Sequence, residues 1–153
     1  MRRPILGKPG HDGGSGHKKE QGDAYERLIF DKFAFHGFAV ALAETNQPGY
    51  DLIIHRMISG PRQRVQVKSR DYSVPTNFFG WYDVDEFDWL AAVLVNPPSR
   101  DCRIFIAPRE IIDARAHYAK FREGRSFTAK NISRKLAEYE DNFDLAFKGR
   151  PLS

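Results

Sequence analysis

Tyr50-Asp51-Leu52-Ile53-Ile54, taken together with Val65-Gln66-Val67-Lys68-Ser69-Arg70, is the stretch on which the fold turns. Both runs are rich in residues that favour strands, and the turn signal Ser59-Gly60 lies between them, so the pair is expected to form a β-hairpin. Each run also carries charged or amide side chains where packing alone would favour apolar ones. A turn centred on Ser59-Gly60 sets Asp51 opposite Lys68 and Ile53 opposite Gln66. Because side chains alternate faces along a strand, Asp51, Gln66 and Lys68 then share one face of the hairpin. A carboxylate, an amide oxygen and an ammonium converge there.

On the N-terminal side, Met1 to about Lys19 is rich in Gly, Pro, His and Lys and reads as a flexible arm, leaving residues 20–153 as one domain. His11 and His17 in this arm read as solvated side chains rather than metal ligands. From about Lys18 to Phe35, Tyr25, Leu28, Ile29 and Phe33 recur at helix spacing, and Gly37 stands where a left-handed C-terminal cap is favoured. Glu26 precedes Phe30 by four residues and Phe33 by seven, so it lies on the stripe expected to face the core. A lone buried carboxylate is costly, and Glu26 therefore calls for a cation, a metal or hydrogen-bond donors. The competing account puts it at the edge of the stripe, in reach of water or of a Lys or Arg. Phe38 to Leu42 reads as a short strand, and Asn46-Gln47-Pro48-Gly49 as a turn into the Asp51 strand.

On the C-terminal side, a polar passage from Asp71 to Thr76 precedes an aromatic cluster of Phe78, Phe79, Trp81, Tyr82, Phe87 and Trp89. These rings suit a core or a cleft wall, and stacking on a nucleic-acid base is the sharper alternative. Asp83 or Asp85 is placed to cap a short helical turn running through Trp89. Leu90 to Val95 and Cys102 to Ala107 are near-continuous apolar runs, the mark of strands buried on both faces. Pro108 opens a second helix, Arg109 to about Phe121; an extended piece at Ser126-Phe127-Thr128 and a last short helix from Ser133 to Glu140 follow. The sum is an α/β or α+β chain whose mixed sheet has about five strands flanked by helices.

The 153 residues suit one core, and no apolar run approaches the roughly 18 residues of a membrane span, so no membrane partner and a cytoplasmic setting are expected. Cys102 is the single cysteine, which excludes a disulfide within the chain; it reads as a small core residue rather than a reactive thiol. Lys and Arg number 24 against 20 acidic residues, with Arg concentrated at positions 56, 62, 64 and 70 and again at 109, 115, 122 and 125. That excess is compatible with a polyanionic partner.

The hairpin residues match the needs of phosphodiester hydrolysis. Charge on the phosphate must be neutralised, water made nucleophilic and the leaving oxygen stabilised. Mg²⁺ takes one or two carboxylates and completes its octahedron with other oxygens. Asp51 offers the anionic ligand, Gln66 a neutral side-chain oxygen and Val67 a backbone carbonyl; Glu26 would serve a second metal or a metal-bound water, and Lys68 would offset charge or position the nucleophile. Asp51 and Lys68 would also serve as a plain cross-strand ion pair.

The order Glu26, Gly49-Tyr50-Asp51-Leu52 and Val65-Gln66-Val67-Lys68-Ser69 resembles the PD-(D/E)XK nuclease superfamily, which includes restriction endonucleases and Holliday junction resolvases. The resemblance covers about Gly22 to Ala107. It implies a restriction endonuclease-like core, DNA as partner, Mg²⁺ or Mn²⁺ as cofactor, and Glu26, Asp51, Gln66 and Lys68 as the catalytic set. Gln66 stands where the family usually has an acidic residue, a variant found in some branches, including methyl-directed restriction enzymes; Tyr50 replaces the proline that often precedes the aspartate. Ser69 and Arg70, with Arg64, are the expected phosphate contacts, Arg70 sharing the face of Lys68; a solvated strand-end residue is the alternative for Arg70. Cutting both strands of a duplex with one small domain implies a homodimer. A catalytically inactive module of the same fold, binding nucleic acid or a protein, is the alternative function.

Overall fold

The structure, a computed structural model, describes residues 9–44, 49–56, 60–99 and 101–148, with the side chains of residues 9–21 left aside. Helix α1 spans Pro9–Phe35, starting inside the stretch expected to be an arm. Its C-terminus is closed by a Schellman motif: the Phe38 N–H donates to Phe33 O at 3.1 Å and the Gly37 N–H to Ala34 O at 3.0 Å. Gly37 sits at φ 94°, as that motif requires, and the Phe33 and Phe38 rings meet edge-on at 5.4 Å.

Strands β1 (Ala39–Leu42), β2 (Leu52–His55), β3 (Gln63–Asp71), β5 (Trp89–Asn96) and β6 (Asp101–Pro108) form one sheet in the order β1-β2-β3-β5-β6. β3 and β5 run parallel and the other neighbours antiparallel, so the sheet is mixed, as expected. The hairpin register differs from the expected one. Leu52 pairs with Val65 and Ile53 with Arg64, which sets Asp51 opposite Gln66 rather than Lys68. The slip amounts to two residues, an even number, so the shared face of Asp51, Gln66 and Lys68 survives it.

Strand β4 (Phe78–Tyr82) leaves this sheet and joins a second one of three strands, β4-β8-β7, with β7 at His117–Ala119 and β8 at Gly124–Thr128. Of this layer the sequence predicts only the extended piece at Ser126-Phe127-Thr128, within β8; it predicts a second helix running to about Phe121. Helix α2 covers only Arg109–Arg115. Ala116 is extended, and His117 and Tyr118 pair instead with Ser126 and Arg125. No helical turn precedes Trp89: residues 83–84 form a hydrogen-bonded turn in which the Tyr82 N–H donates to the Asp85 carboxylate at 2.9 Å. The last helix is likewise split into α3 (Ile132–Lys135) and a 3₁₀ turn, Ala137–Tyr139.

Two apolar cores result. One face of the main sheet, with Leu52, Ile54, Val65, Ala91, Val93 and Ile106, packs with Ile29 and Phe33 of α1. The opposite face, with Leu90, Ala92, Leu94 and Phe105, packs with Phe79, Trp81 and Phe127 of the second sheet and with Ile111 and Ile112 of α2. Being covered on both sides, Leu90 to Val95 are all buried, which is why that run lacks alternation. Among the described residues no helix is long and apolar enough to cross a membrane.

Candidate functional site

β2 begins at Leu52 while β3 continues to Asp71, so from Gln66 onward one edge of β3 is no longer paired with β2. The Asp51 side chain sits at this step. Its backbone N–H donates to Val65 O at 2.8 Å, and its Oδ2 accepts the Val67 N–H at 2.8 Å and the Gln66 Nε2 at 3.3 Å. A carboxylate takes the place of a strand neighbour. In a strand the N–H and C=O of one residue point the same way, so the Val67 carbonyl is directed to the same open edge as the Val67 N–H. Gln66 turns its amide nitrogen to Asp51, which leaves Oε1 as a neutral acceptor beside the carboxylate.

Lys68 and Arg70 follow on the face of Gln66. Burial, with Arg70 nearby, holds the Lys68 ammonium below the ordinary lysine range, while Asp51 and Asp85 act in the opposite direction. Among the described residues no carboxylate forms an ion pair with Lys68. Arg70 donates through Nε to Phe78 O and through Nη1 to Ser69 O, both at 2.7 Å, so it bridges β3 to the second sheet. A cleft of ≈ 360 Å³ opens at Lys68 and Arg70 and runs over Phe78, Tyr82, His117 and Arg122.

The remaining candidates lie elsewhere. Arg64 is held by Asp88, through Nε to Oδ2 at 3.1 Å, Nη2 to Oδ1 at 3.2 Å and its own backbone N–H at 2.8 Å. This bond ties the start of β3 to the start of β5. Ser69 falls on the alternate face, with Val65 and Val67. Glu26 is half-buried one turn before Ile29 on α1, and α1 covers the face opposite to that of Gln66 and Lys68. Among the described residues no three His, Cys, Asp or Glu side chains gather closely enough to hold a metal. One carboxylate with neutral oxygens from Gln66 and Val67 nevertheless fits Mg²⁺, which keeps several waters. Cys102 is half-buried at the head of β6, where burial pushes its thiol up.

The sequence matches no protein-family profile and no curated protein. Among solved structures the chain is similar to that of a bacterial homing endonuclease, I-Ssp6803I, with a TM-score of 0.56 at 16% identity, covering 82% of this chain and 90% of that one. The fold is nuclease-like. At this identity the likeness concerns the architecture, and the roles of individual side chains rest on their geometry. His117 and Phe121 of the cleft are not legible in the sequence, because their stretch suits a helix that the structure ends at Arg115; Arg122 belongs to the basic cluster that the sequence shows.

Proposed function

We propose that the chain is a Mg²⁺-dependent nuclease hydrolysing phosphodiester bonds in DNA, a PD-(D/E)XK site in its Gln-x-Lys form. The observation that carries this reading is the Asp51 carboxylate bonded to Gln66 and Val67 at the open edge of β3, with Lys68 next on the same face. Asp51, the Gln66 Oε1 and the Val67 carbonyl are the residues that would hold Mg²⁺ or Mn²⁺; Glu26, on the helix that covers the opposite face of the sheet, stands outside this set. When bound, the cation supplies charge neutralisation at the phosphate and acidifies water. Lys68 holds a proton beside the reacting phosphate and offsets negative charge that develops there. Burial lowers its pKa below the ordinary lysine range, which eases release of that proton. Arg70, anchored through Nε and Nη1, has Nη2 left to meet a phosphate oxygen.

Lys68→Ala should lower Mg²⁺-dependent cleavage of a supercoiled plasmid by about 10²–10³-fold with the circular dichroism spectrum unchanged. Cleavage at the wild-type rate, or cleavage persisting in excess EDTA, rules the mechanism out. The single carboxylate favours a second reading, an inactive nuclease-fold module that binds nucleic acid or a protein. Calorimetry with Mn²⁺ separates the two: the active site requires binding that Asp51→Asn removes, and the inactive module shows none.

A further inference from the structure

The second sheet buries one face and opens the other. Along β4, Phe79 and Trp81 enter the core, while Phe78 and Tyr82 alternate outward to line the cleft beside Lys68. Beneath these two rings are glycines. A Cβ on Gly80 would stand 3.0 Å from Phe78 Cε2, and one on Gly124 would stand 3.3 Å from Tyr82 Cδ1. With no side chain below, both rings lie down on the strand backbone, and the residues remain 48% and 52% exposed. Phe121, on the 3₁₀ turn at the rim, is 86% exposed. Cations alternate with the rings. Arg122 stands 5.4 Å over the Phe121 ring, and among the described residues neither it nor Lys68 has a carboxylate partner in an ion pair.

Flat aromatic platforms interleaved with unpaired cations are what an unpaired nucleic-acid strand uses, rings for the bases and cations for the phosphates. A duplex offers no base face to such rings, since its bases already stack on one another. The cleft, at ≈ 360 Å³, is a recess on the scale of one nucleotide or small ligand. We propose that Phe78, Tyr82 and Phe121, with Arg122, hold an unpaired nucleotide next to Lys68, so that the substrate class is single-stranded or branched nucleic acid rather than intact duplex. This deepens the nuclease reading of the Asp51–Lys68 site and rests on it for the chemistry performed on the bound strand.

Binding is measured by fluorescence anisotropy on the full chain in EDTA, where no cleavage occurs, with a labelled thymidine oligonucleotide of about 15 nucleotides and a duplex of equal length. The single strand should bind at least about tenfold more tightly than the duplex. Tyr82→Ala and Phe121→Ala should each weaken the single strand by about tenfold and leave the duplex unaffected. Equal affinity for both forms, no binding of either, or single-strand binding unmoved by both substitutions overturns the proposal. Phe121 contributes nothing to the core at its exposure, so its truncation tests the site even where Tyr82→Ala unfolds the sheet. Aromatic-dependent strand binding without Mg²⁺-dependent cleavage by wild type would overturn the nuclease reading alone; cleavage of duplex with no strand preference would overturn the strand site alone.

Discussion

A lysine ammonium in a partly buried cleft with an arginine two residues away is held at a cost to stability, and Lys68 is such a group. Its folded-state pKa lies below its unfolded value, so between the two the unfolded chain binds more protons and stability rises with pH. Below that window protonated Lys68 destabilises the folded state in full. Lys68→Met, similar in length and uncharged, should therefore raise the thermal midpoint at pH 7 by about 2–4 °C, the advantage shrinking as pH climbs toward the ordinary lysine range. Melting curves across that range check the sign; a midpoint that falls at pH 7 removes the argument for strain at this residue. Arg64 illustrates the opposite case. Two side-chain bonds and one from its backbone N–H hold it to Asp88; Arg64→Ala removes only the two side-chain bonds of this half-exposed pair and should lower stability by about 0.5–1 kcal/mol in urea titration.

At the scale of elements, the loop before β2 has the task of delivering Asp51 to the step in the sheet. Gly49 adopts φ 82°, and a Cβ there would stand 2.6 Å from the Glu86 N and 2.7 Å from the Asp85 Cβ. Gly37 also has a positive φ, yet nothing lies within 4 Å of its missing Cβ. Gly37→Ala should thus carry only the left-handed backbone penalty of about 1–2 kcal/mol. Gly49→Ala adds an overlap on the order of 1–3 kcal/mol and displaces Asp51. Chemical denaturation of the two variants should separate them in that order, and Mn²⁺ calorimetry should register weaker binding for Gly49→Ala only. A larger loss at Gly37 would contradict the contact at Gly49. The Schellman motif was legible in the sequence because Phe33, Gly37 and Phe38 are neighbours; the contact of Gly49 with Asp85 was not.

On the scale of the whole molecule, the second sheet is joined to the first layer by a compact polar network. Arg109 reaches Asp113 at 3.2 Å, the Asp85 carbonyl at 2.8 Å and the Tyr82 carbonyl at 3.2 Å, lies 4.4 Å over the Phe87 ring, and shares Asp113 with the Trp81 indole at 2.8 Å. Arg109→Leu strands those acceptors and should destabilise the chain by about 2 kcal/mol or more by urea titration. The same variant should lose the near-ultraviolet dichroism of Trp81. Retained stability and dichroism would mean that apolar packing of Phe79, Trp81 and Phe127 alone holds the layer.

Local chemistry determined the hairpin face, the cap at Gly37 and the buried runs Leu90 to Val95 and Ile104 to Ala107, because strand alternation, capping and apolar periodicity act between residues close in sequence; Cys102 and Arg103, at the outer end of the edge strand β6, are half-buried and exposed. An even slip of register left the face of Asp51, Gln66 and Lys68 intact for the same reason. The fate of His117 to Ala119 was decided only by tertiary structure. A short amphipathic run there suits a helix by itself, and pairing with β8 across the sheet outweighs that weak preference. The aromatic cluster divides by the same logic: Phe79 and Trp81 are core and Phe78 and Tyr82 are cleft because the second sheet has one covered face, and no spacing within the sequence says which face is covered.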